Sequence, residues 1–213
     1  MKRMIALLIL FSLTKSISAF DFVILKYKSG DYYNACEGVR NFLKELSKRT
    51  TIEVNENPLE LSLEDPALFN HYFLFLNGHV PLELSEKEKL NLRKFLLNGG
   101  FLFANDDYGM DESFRKMIKD VFPEYSLTEV NFSHPIYNVF YKFPEGIPKI
   151  HEHYEGPPKA LAIFIKNRIA VFYAYNTDIA DGWDLPEVHK DPPEKREAAI
   201  RMGINIVMYS LSY

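Results

Sequence analysis

Residues 72–76 of the chain read YFLFL, a continuous apolar run that is followed directly by Asn77-Gly78-His79. A strand that is buried on both faces shows such a run, which is typical of a parallel sheet covered by helices. Residues 21–27, DFVILKY, and residues 101–104, FLFA, are predicted as further apolar strands. The three runs favour an α/β fold with a mostly parallel sheet.

Helical patterns lie between these strands. Residues 33–48 place apolar side chains at spacings of three and four, which predicts one apolar face of a helix. Ser85 and Glu88 form a capping-box pattern at the start of a second helix, which ends at Gly99. Further helices are predicted over residues 111–121, with Asp111 as the cap, and over residues 193–211.

The remaining segments complete a single predicted domain over residues 20–213. Residues 50–54 are predicted as a strand, and residues 161–165 and 168–175 as a hairpin with a two-residue turn. Residues 122–158 are rich in proline and have little periodicity, so we expect an irregular excursion over one end of the sheet. These elements together predict a three-layer α/β fold with a C-terminal hairpin.

The composition is that of an ordinary globular protein. Of the 213 residues, 47% are hydrophobic and 25% are charged, which disfavours long disorder, coiled coils and multi-pass membrane proteins. The 25 Lys and Arg residues face 29 Asp and Glu residues, for a formal net charge of -4. Because this balance implies no basic face, we do not expect the chain to bind nucleic acid.

The first residues resemble an export signal. Lys2 and Arg3 precede an apolar run over residues 4–13, and residues 14–19, TKSISA, then end in the small residues Ser18 and Ala19. The run is shorter than the roughly 20 residues that a membrane-spanning helix needs, and it fits a signal peptide cleaved after Ala19 or after Ser18. We therefore expect a periplasmic or secreted protein with no spanning helix once residues 1–19 are removed.

Polar and aromatic residues follow four of the predicted strands. The carboxyl ends of parallel strands lie at one edge of a sheet, and ligands of open α/β sheets bind at that edge. We therefore expect one site for a small polar ligand there. Its predicted members are Asp31 and Tyr32 after the first strand, Asn77 and His79 after YFLFL, Asp106, Asp107 and Tyr108 after FLFA, and Asn176 and Asp178 after the hairpin.

Asp106 and Asp107 are the most unusual members of this set. Two carboxylates about 4 Å apart repel each other by about 4 kcal/mol at an effective dielectric constant near 20. A divalent cation, a proton or an arginine between them would relieve that repulsion. Alternatively, Asp106 caps the next turn and Asp107 faces water. A divalent metal is thus one alternative at this position, and no other cofactor is predicted.

Four histidines allow different roles. His79 and His134 could act as proton donors or metal ligands at the same edge, or could hydrogen-bond neighbouring loops. His151 and His153 around Glu152 only loosely resemble part of a metal site, because a complete ligand set at zinc spacing is absent.

Aromatic residues and the cysteine also leave alternatives open. Tyr32 and Tyr108 lie beside carboxylates, which suits stacking on a sugar ring or a peptide, but such residues also form lids over a core. Trp183 could bind a ligand or anchor a loop. Cys36 is the only cysteine, and we expect it to be a buried structural residue of the first helix.

Several segments in order resemble one bacterial family, that of domain of unknown function 4159. The segments are YKSGDYY at residues 27–33, FLLNGGFL at residues 95–102 before Asp106-Asp107, FPE at 122–124, HPIY at 134–137, RIAV at 168–171 and GIN at 203–205. The resemblance implies a flavodoxin-like sheet related to class I glutamine amidotransferases, in exported or membrane-attached proteins without an established activity. The amidotransferase cysteine follows a central strand, where this chain has Asn77-Gly78-His79, so thiol-based amide hydrolysis is not expected.

Three functions remain as hypotheses. The first is a non-catalytic module of the cell envelope that binds a small polar ligand or an envelope protein. The second is a hydrolase of carbohydrate, ester or phosphoester substrates, with Asp106 or Asp107 as base or metal ligand and His79 or His134 as acid. The third is a purely structural role, in which residues 122–158 dock a membrane complex.

Overall fold

The computed structural model describes residues 19–106, 108–151 and 154–213, and it forms one seven-stranded sheet with helices on both faces. The strands are β1 Val23–Leu25, β2 Leu59–Leu61, β3 Phe73–Leu76, β4 Phe101–Asn105, β5 Thr128–Glu129, β6 Lys159–Ile165 and β7 Arg168–Tyr175. The α-helices are α1 Cys36–Arg49, α2 Glu86–Leu97, α3 Asp111–Val121, α4 Pro186–His189 and α5 Pro193–Ser212. Short 3-10 helices lie at Tyr32–Ala35, Pro66–Asn70, Pro135–Tyr137 and Asp181–Trp183.

The strand order is β2-β1-β3-β4-β7-β6-β5. The pairs β1 with β2, β1 with β3, β3 with β4, and β4 with β7 are parallel. Only β6 runs the other way, antiparallel to both β7 and β5. The prediction of a mostly parallel three-layer α/β fold with a hairpin near the C-terminus is therefore confirmed.

Each face of the sheet has its own apolar core. Alternate residues of a strand point to opposite faces, so Phe73 and Phe75 of β3 contribute to one core and Leu74 and Leu76 to the other. The first core also contains apolar residues of α1 and α5, and the second contains those of α2 and α3. All four β3 side chains are completely buried, which explains the unbroken apolar run in the sequence.

The predicted strand over residues 50–54 is wrong. In the described part of the chain, Val54 makes only an isolated bridge to Phe20, and the strand beside β1 is β2. Backbone hydrogen bonding along this edge of the sheet is interrupted. It stops after Asn55 and resumes where the Leu59 N–H donates to the Phe22 carbonyl. Pro58 has no N–H, so the ladder cannot continue without interruption.

Among the predicted turns and caps, the capping box of α2 and the turn of the β6–β7 hairpin are confirmed. The Ser85 hydroxyl accepts from the Glu88 N–H at 3.2 Å, and the Glu88 carboxylate accepts from the Ser85 N–H at 2.7 Å, which confirms the capping box of α2. Asp111, however, is the first residue of α3 and not its cap; its carboxylate accepts from the Tyr173 hydroxyl at 2.8 Å. Both turn residues of the β6–β7 hairpin have positive φ values, as the preferred two-residue turns require.

Asn205 of α5 fixes the excursion to the helical layer. Its buried side-chain amide donates to the carbonyls of Ile136 and Tyr141 at 2.9 and 2.8 Å and accepts from the Tyr141 N–H at 2.7 Å. One side chain thus satisfies three backbone groups of a segment with little secondary structure of its own. The excursion is irregular as predicted, apart from β5 and one 3-10 helix.

His134 lies far from where the sequence analysis expected it. Its ring packs against Phe164 and Tyr209, with ring centroids 5.7 and 5.2 Å apart, and the Tyr209 hydroxyl accepts from the Ile169 N–H. Ile169 is near the amino end of β7, so His134 does not reach the carboxyl edge of the sheet. Its Nδ1 instead accepts from the Ile136 N–H at 3.3 Å and caps the 3-10 helix Pro135–Tyr137.

None of the helices in the described residues is both long enough and apolar enough to cross a membrane.

We predict that Asn205→Ala lowers the free energy of unfolding by about 3 kcal/mol, because each buried backbone group left without a partner costs about 1–3 kcal/mol. Urea denaturation of the purified protein measures the change. Ser210→Ala is the matched control, since the Ser210 hydroxyl donates to the Val207 carbonyl of its own helix and so leaves the excursion unaffected. Equal losses in the two variants would contradict the anchoring role of Asn205.

We predict that His134→Asn makes the protein less sensitive to acid. Burial lowers the pKa of His134 below its ordinary value of 6.5, so stability is fully present above that pH and is lost as the pH falls and the ring must be protonated. Asn keeps an acceptor for the Ile136 N–H but cannot be protonated. Urea denaturation between about pH 7.5 and about pH 5 should show a smaller loss in the variant than in the wild type. Parallel pH profiles would disprove this explanation.

Candidate functional site

The carboxyl ends of β1, β3, β4 and β7 lie at one edge of the sheet, because these strands are parallel. We call this edge, with the polar and aromatic side chains that follow the four strands, the rim. Asp107 lies outside the described residues. The described members of the rim are Asp31, Tyr32, Asn77, His79, Asn105, Asp106, Tyr108, Asn176 and Asp178.

A buried polar network joins three of these strand ends. The side-chain amide of Asn105 donates to Asn77 Oδ1 at 2.7 Å and to Asp178 Oδ1 at 2.8 Å. Asn105 Oδ1 accepts from the Ile179 N–H at 2.8 Å. All three polar side chains are buried, so the network forms a fixed polar floor beneath the rim. Asn105 was not among the predicted ligand-binding residues, although its position at the end of an apolar strand was a usable signal.

Asp31 and His79 form a second pair at the rim. The Asp31 carboxylate accepts from the His79 N–H at 2.9 Å and lies 2.8 Å from His79 Nδ1. Burial opposes ionisation of Asp31, but the hydrogen bonds from His79 outweigh it and lower the pKa of the carboxyl below its usual value. A carboxylate at Nδ1 favours the tautomer with the proton there, which leaves Nε2 as an acceptor.

Two glycines allow the loops around His79 to approach closely. A Cβ at Gly78 would collide with the Tyr27 hydroxyl, which donates to the Asn77 carbonyl at 3.0 Å. Gly109 has a φ of 109°, and a Cβ there would collide with the His79 carbonyl. The loops after β1, β3 and β4 are therefore in contact, as the sequence analysis expected from their common edge.

Asp106 is completely buried behind the rim, and its N–H donates to the Ala174 carbonyl at 3.1 Å. Its carboxylate lies close enough to nearby tyrosines to affect their ionisation. Burial, followed by the charge of Asp106, raises the pKa of Tyr154 and of Tyr173 above the usual value. Asp106 is thus a buried carboxyl group next to a group of phenol rings.

Three tyrosine rings, those of Tyr108, Tyr154 and Tyr175, form a row. Tyr108 is 52% exposed, and its ring centroid is 5.2 Å from that of Tyr154. Tyr154 is stacked on Tyr175 at 5.8 Å with an interplanar angle of 18°. The Arg115 guanidinium lies 5.3 Å from the centre of the Tyr175 ring. Tyr154 and Tyr175 were not predicted as site residues, because one comes from the excursion and the other ends a buried strand.

Asn176 mainly stabilises the structure around the end of β7. Its Oδ1 accepts from the Tyr154 N–H at 3.0 Å and from Lys149 Nζ at 3.2 Å, and the residue is almost fully buried. Asn176 therefore holds the excursion against the end of β7. The predicted ligand contact at this residue stays a prediction.

A cleft of about 540 Å³ opens at the rim beside β1. Its volume is within the range of small-molecule pockets. The ring of Tyr32 packs against that of Tyr27 at 6.2 Å, and both line the cleft. The other lining residues are Lys26, Lys28, Gly30, Glu60, Ser62, Asp65 and Glu88.

A separate group of titratable residues lies at the loop after β7, to which the excursion contributes His151. His151 Nδ1 lies 3.1 Å from Asp181 Oδ2, and His189 Nε2 lies 3.3 Å from Asp181 Oδ1. Glu152 and His153, which were considered with His151, lie outside the described residues. Asp181 and His189 were not predicted as partners of His151, because they are distant from it in the chain and form no recognisable spacing pattern.

Trp183 packs in the core, and Cys36 begins α1. Trp183 is buried and its ring stacks on that of Phe42 at 4.3 Å, so it anchors the loop after β7. Cys36 is only partly buried, where full burial was expected, and its Sγ lies 3.6 Å from Glu60 Oε1. Burial and then the charge of Glu60 raise the pKa of the Cys36 thiol to about 11, which disfavours the thiolate.

A comparison with protein families agrees with the resemblance in the sequence. The sequence profile described as "Domain of unknown function (DUF4159)" matches residues 21–211, which include every described residue of the rim. No match was found among the curated proteins. The relationship to class I glutamine amidotransferases stays a prediction. Because the matched segment spans most of the chain, the protein belongs to the DUF4159 family.

Proposed function

We propose that the protein is an exported, non-catalytic module of the cell envelope that binds a small ligand rich in hydroxyl groups, such as a sugar, at the rim. The observation that carries this proposal is the convergence of loops from four parallel strands on one edge. Fixed amide and carboxylate groups lie there beside an exposed tyrosine. This is the edge at which open α/β sheets bind their ligands.

The chemistry of the rim suits hydroxyl groups. The Asp31 carboxylate and the His79 imidazole are hydrogen-bonding groups of the kind that bind hydroxyls, and their side-chain exposures are 21% and 48%. Tyr108 supplies a ring face on which the apolar side of a sugar can stack. The buried amide network below these groups limits their movement, so little ordering is needed on binding.

Export is part of the proposal, supported by the charged start, short apolar run and small residues of positions 1–19. We expect the mature protein to begin at Phe20, or at Ala19 if cleavage follows Ser18. Cell fractionation followed by amino-terminal sequencing tests this directly. An intact amino terminus on cytoplasmic protein would contradict export.

We predict that Tyr108→Ala weakens binding of the best ligand in a panel of monosaccharides and oligosaccharides by about tenfold, equivalent to about 1.4 kcal/mol. The reason is loss of the stacking surface, and isothermal titration calorimetry of the purified protein measures it. Tyr213→Ala is the matched control, because Tyr213 is 60% exposed and stacks on another tyrosine, Tyr209, towards the opposite edge. If no sugar binds, or if both variants bind like the wild type, the proposed function is wrong.

Hydrolysis is a second candidate, supported by the contact between Asp31 and His79. A carboxylate that orients an imidazole is a recurrent arrangement for general acid–base catalysis. Assays with glycoside, ester and phosphoester substrates, with and without divalent ions, separate the two candidates. Turnover that is abolished in His79→Asn would favour hydrolysis, whereas sugar binding without turnover would favour the binding module.

A further inference from the structure

Three side chains from separate segments converge next to the rim. His151 belongs to the excursion, Asp181 starts the 3-10 helix after β7, and His189 ends α4. One ring nitrogen from each histidine and a carboxylate oxygen of Asp181 all lie within 4.8 Å of one another. The site therefore offers two nitrogen ligands and one oxygen ligand to a common point.

The backbone holds two of these residues in place. The His151 N–H donates to the Thr177 carbonyl at 2.8 Å, and the Asp181 N–H donates to Asp178 Oδ1 at 3.2 Å. Trp183, two residues after Asp181, is buried in the core and its indole N–H donates to the Ala199 carbonyl at 3.1 Å. Asp181 is thus presented by a loop anchored on both sides, through Asp178 to the rim network and through Trp183 to the core.

We propose that His151, Asp181 and His189 bind a divalent transition-metal ion, and that Zn²⁺ fits the site best. Imidazole nitrogens suit zinc and neighbouring transition metals, whereas Ca²⁺ and Mg²⁺ prefer sites made of oxygen alone. In tetrahedral zinc sites with bonds of about 2.0–2.1 Å, neighbouring ligand atoms are about 3.3 Å apart. His151 Nδ1 lies 3.1 Å from Asp181 Oδ2 and His189 Nε2 lies 3.3 Å from Asp181 Oδ1, so each nitrogen is near this spacing from one oxygen of the shared carboxylate.

The surroundings favour a cation and leave access to it. Asp184 Oδ2 lies 2.9 Å from His189 Nε2, so a second carboxylate adds negative charge beside the three ligands. The side chains of His151 and His189 are 42% and 30% exposed, so solvent reaches the site. Zinc sites with three protein ligands keep a position for water or another ligand, in contrast to closed structural sites with four.

This site is distinct from the proposed sugar-binding surface around Tyr108 and His79, and its test uses the metal alone. Isothermal titration of ZnCl₂ into the full chain, after treatment with EDTA and dialysis, should show one equivalent bound with a dissociation constant of about 1 µM or lower. The visible spectrum of the Co²⁺ complex should show the intense bands of a tetrahedral site.

Two variants remove one ligand each. His189→Ala and Asp181→Asn should weaken Zn²⁺ binding by at least about tenfold, the lower range seen for disturbed metal sites. His71→Ala is the matched control, because His71 Nδ1 lies 3.2 Å from Asp21 Oδ2 in another histidine–aspartate pair, and it should bind Zn²⁺ like the wild type. His79→Ala should also leave Zn²⁺ binding unchanged, which separates this site from the rim.

Melting temperatures show whether the variants are folded. Each variant should unfold cooperatively without metal, and Zn²⁺ should raise the melting temperature of the wild type and the controls but not of the ligand variants. Absence of Zn²⁺ binding by the wild type would overturn the proposal, as would wild-type affinity in both ligand variants or an equal loss in His71→Ala. None of these results depends on sugar binding, so this proposal and the proposed function can fail separately.

Discussion

The parallel pairing of β7 with β4 is the contact on which the arrangement of the whole carboxyl edge depends. It runs from Leu102 opposite Val171 to Asn105 opposite Ala174. Because the two strands run in the same direction, the loop after β7 emerges next to the end of β4, where Asn105 reaches Asp178. Were β7 antiparallel to β4, that loop would lie at the other edge of the sheet, some five residues of strand away from Asn77. The β6–β7 hairpin makes this orientation possible. β6 lies on the side of β7 away from β4 and runs antiparallel to it, and the chain then turns into β7, parallel to β4.

The polar floor of the rim shows how the fold accommodates buried amides and a carboxylate between two apolar cores. A buried polar group is costly unless it is hydrogen-bonded, and Asn105 meets this requirement by contacting residues from the ends of both neighbouring strands. The same side chain accepts from the Ile179 N–H and so positions the start of the loop that leads to Asp181. The rim and the histidine group after β7 therefore share a rigid support, although their side chains differ in chemistry.

Much of the fold could be predicted because its signals are local. The apolar run of β3, the Ser85 capping box and the β6–β7 turn each depend on a few adjacent residues. The edge strand β2 was not predicted, because it has only three residues, too few for their alternation to be a clear signal, and none of them is fully buried. His134 was misplaced for a different reason: the path of the excursion is decided by contacts such as those of Asn205, which lies about 70 residues later in the chain. The common edge of the rim could be predicted, because parallel strands end on the same side of a sheet. His151, Asp181 and His189 come together only in the tertiary structure, so no sequence pattern links them.

The position of Trp183 gives the protein a built-in optical reporter. It is the only tryptophan of the chain, and its indole is shielded by Phe42, Phe75 and Phe103 while its backbone lies between Asp181 and Asp184. An indole in such surroundings emits at shorter wavelength than one in water. Any displacement of the loop after β7 changes the aromatic surroundings of this single chromophore. Its intrinsic fluorescence can therefore follow events at that loop without a label or an engineered residue.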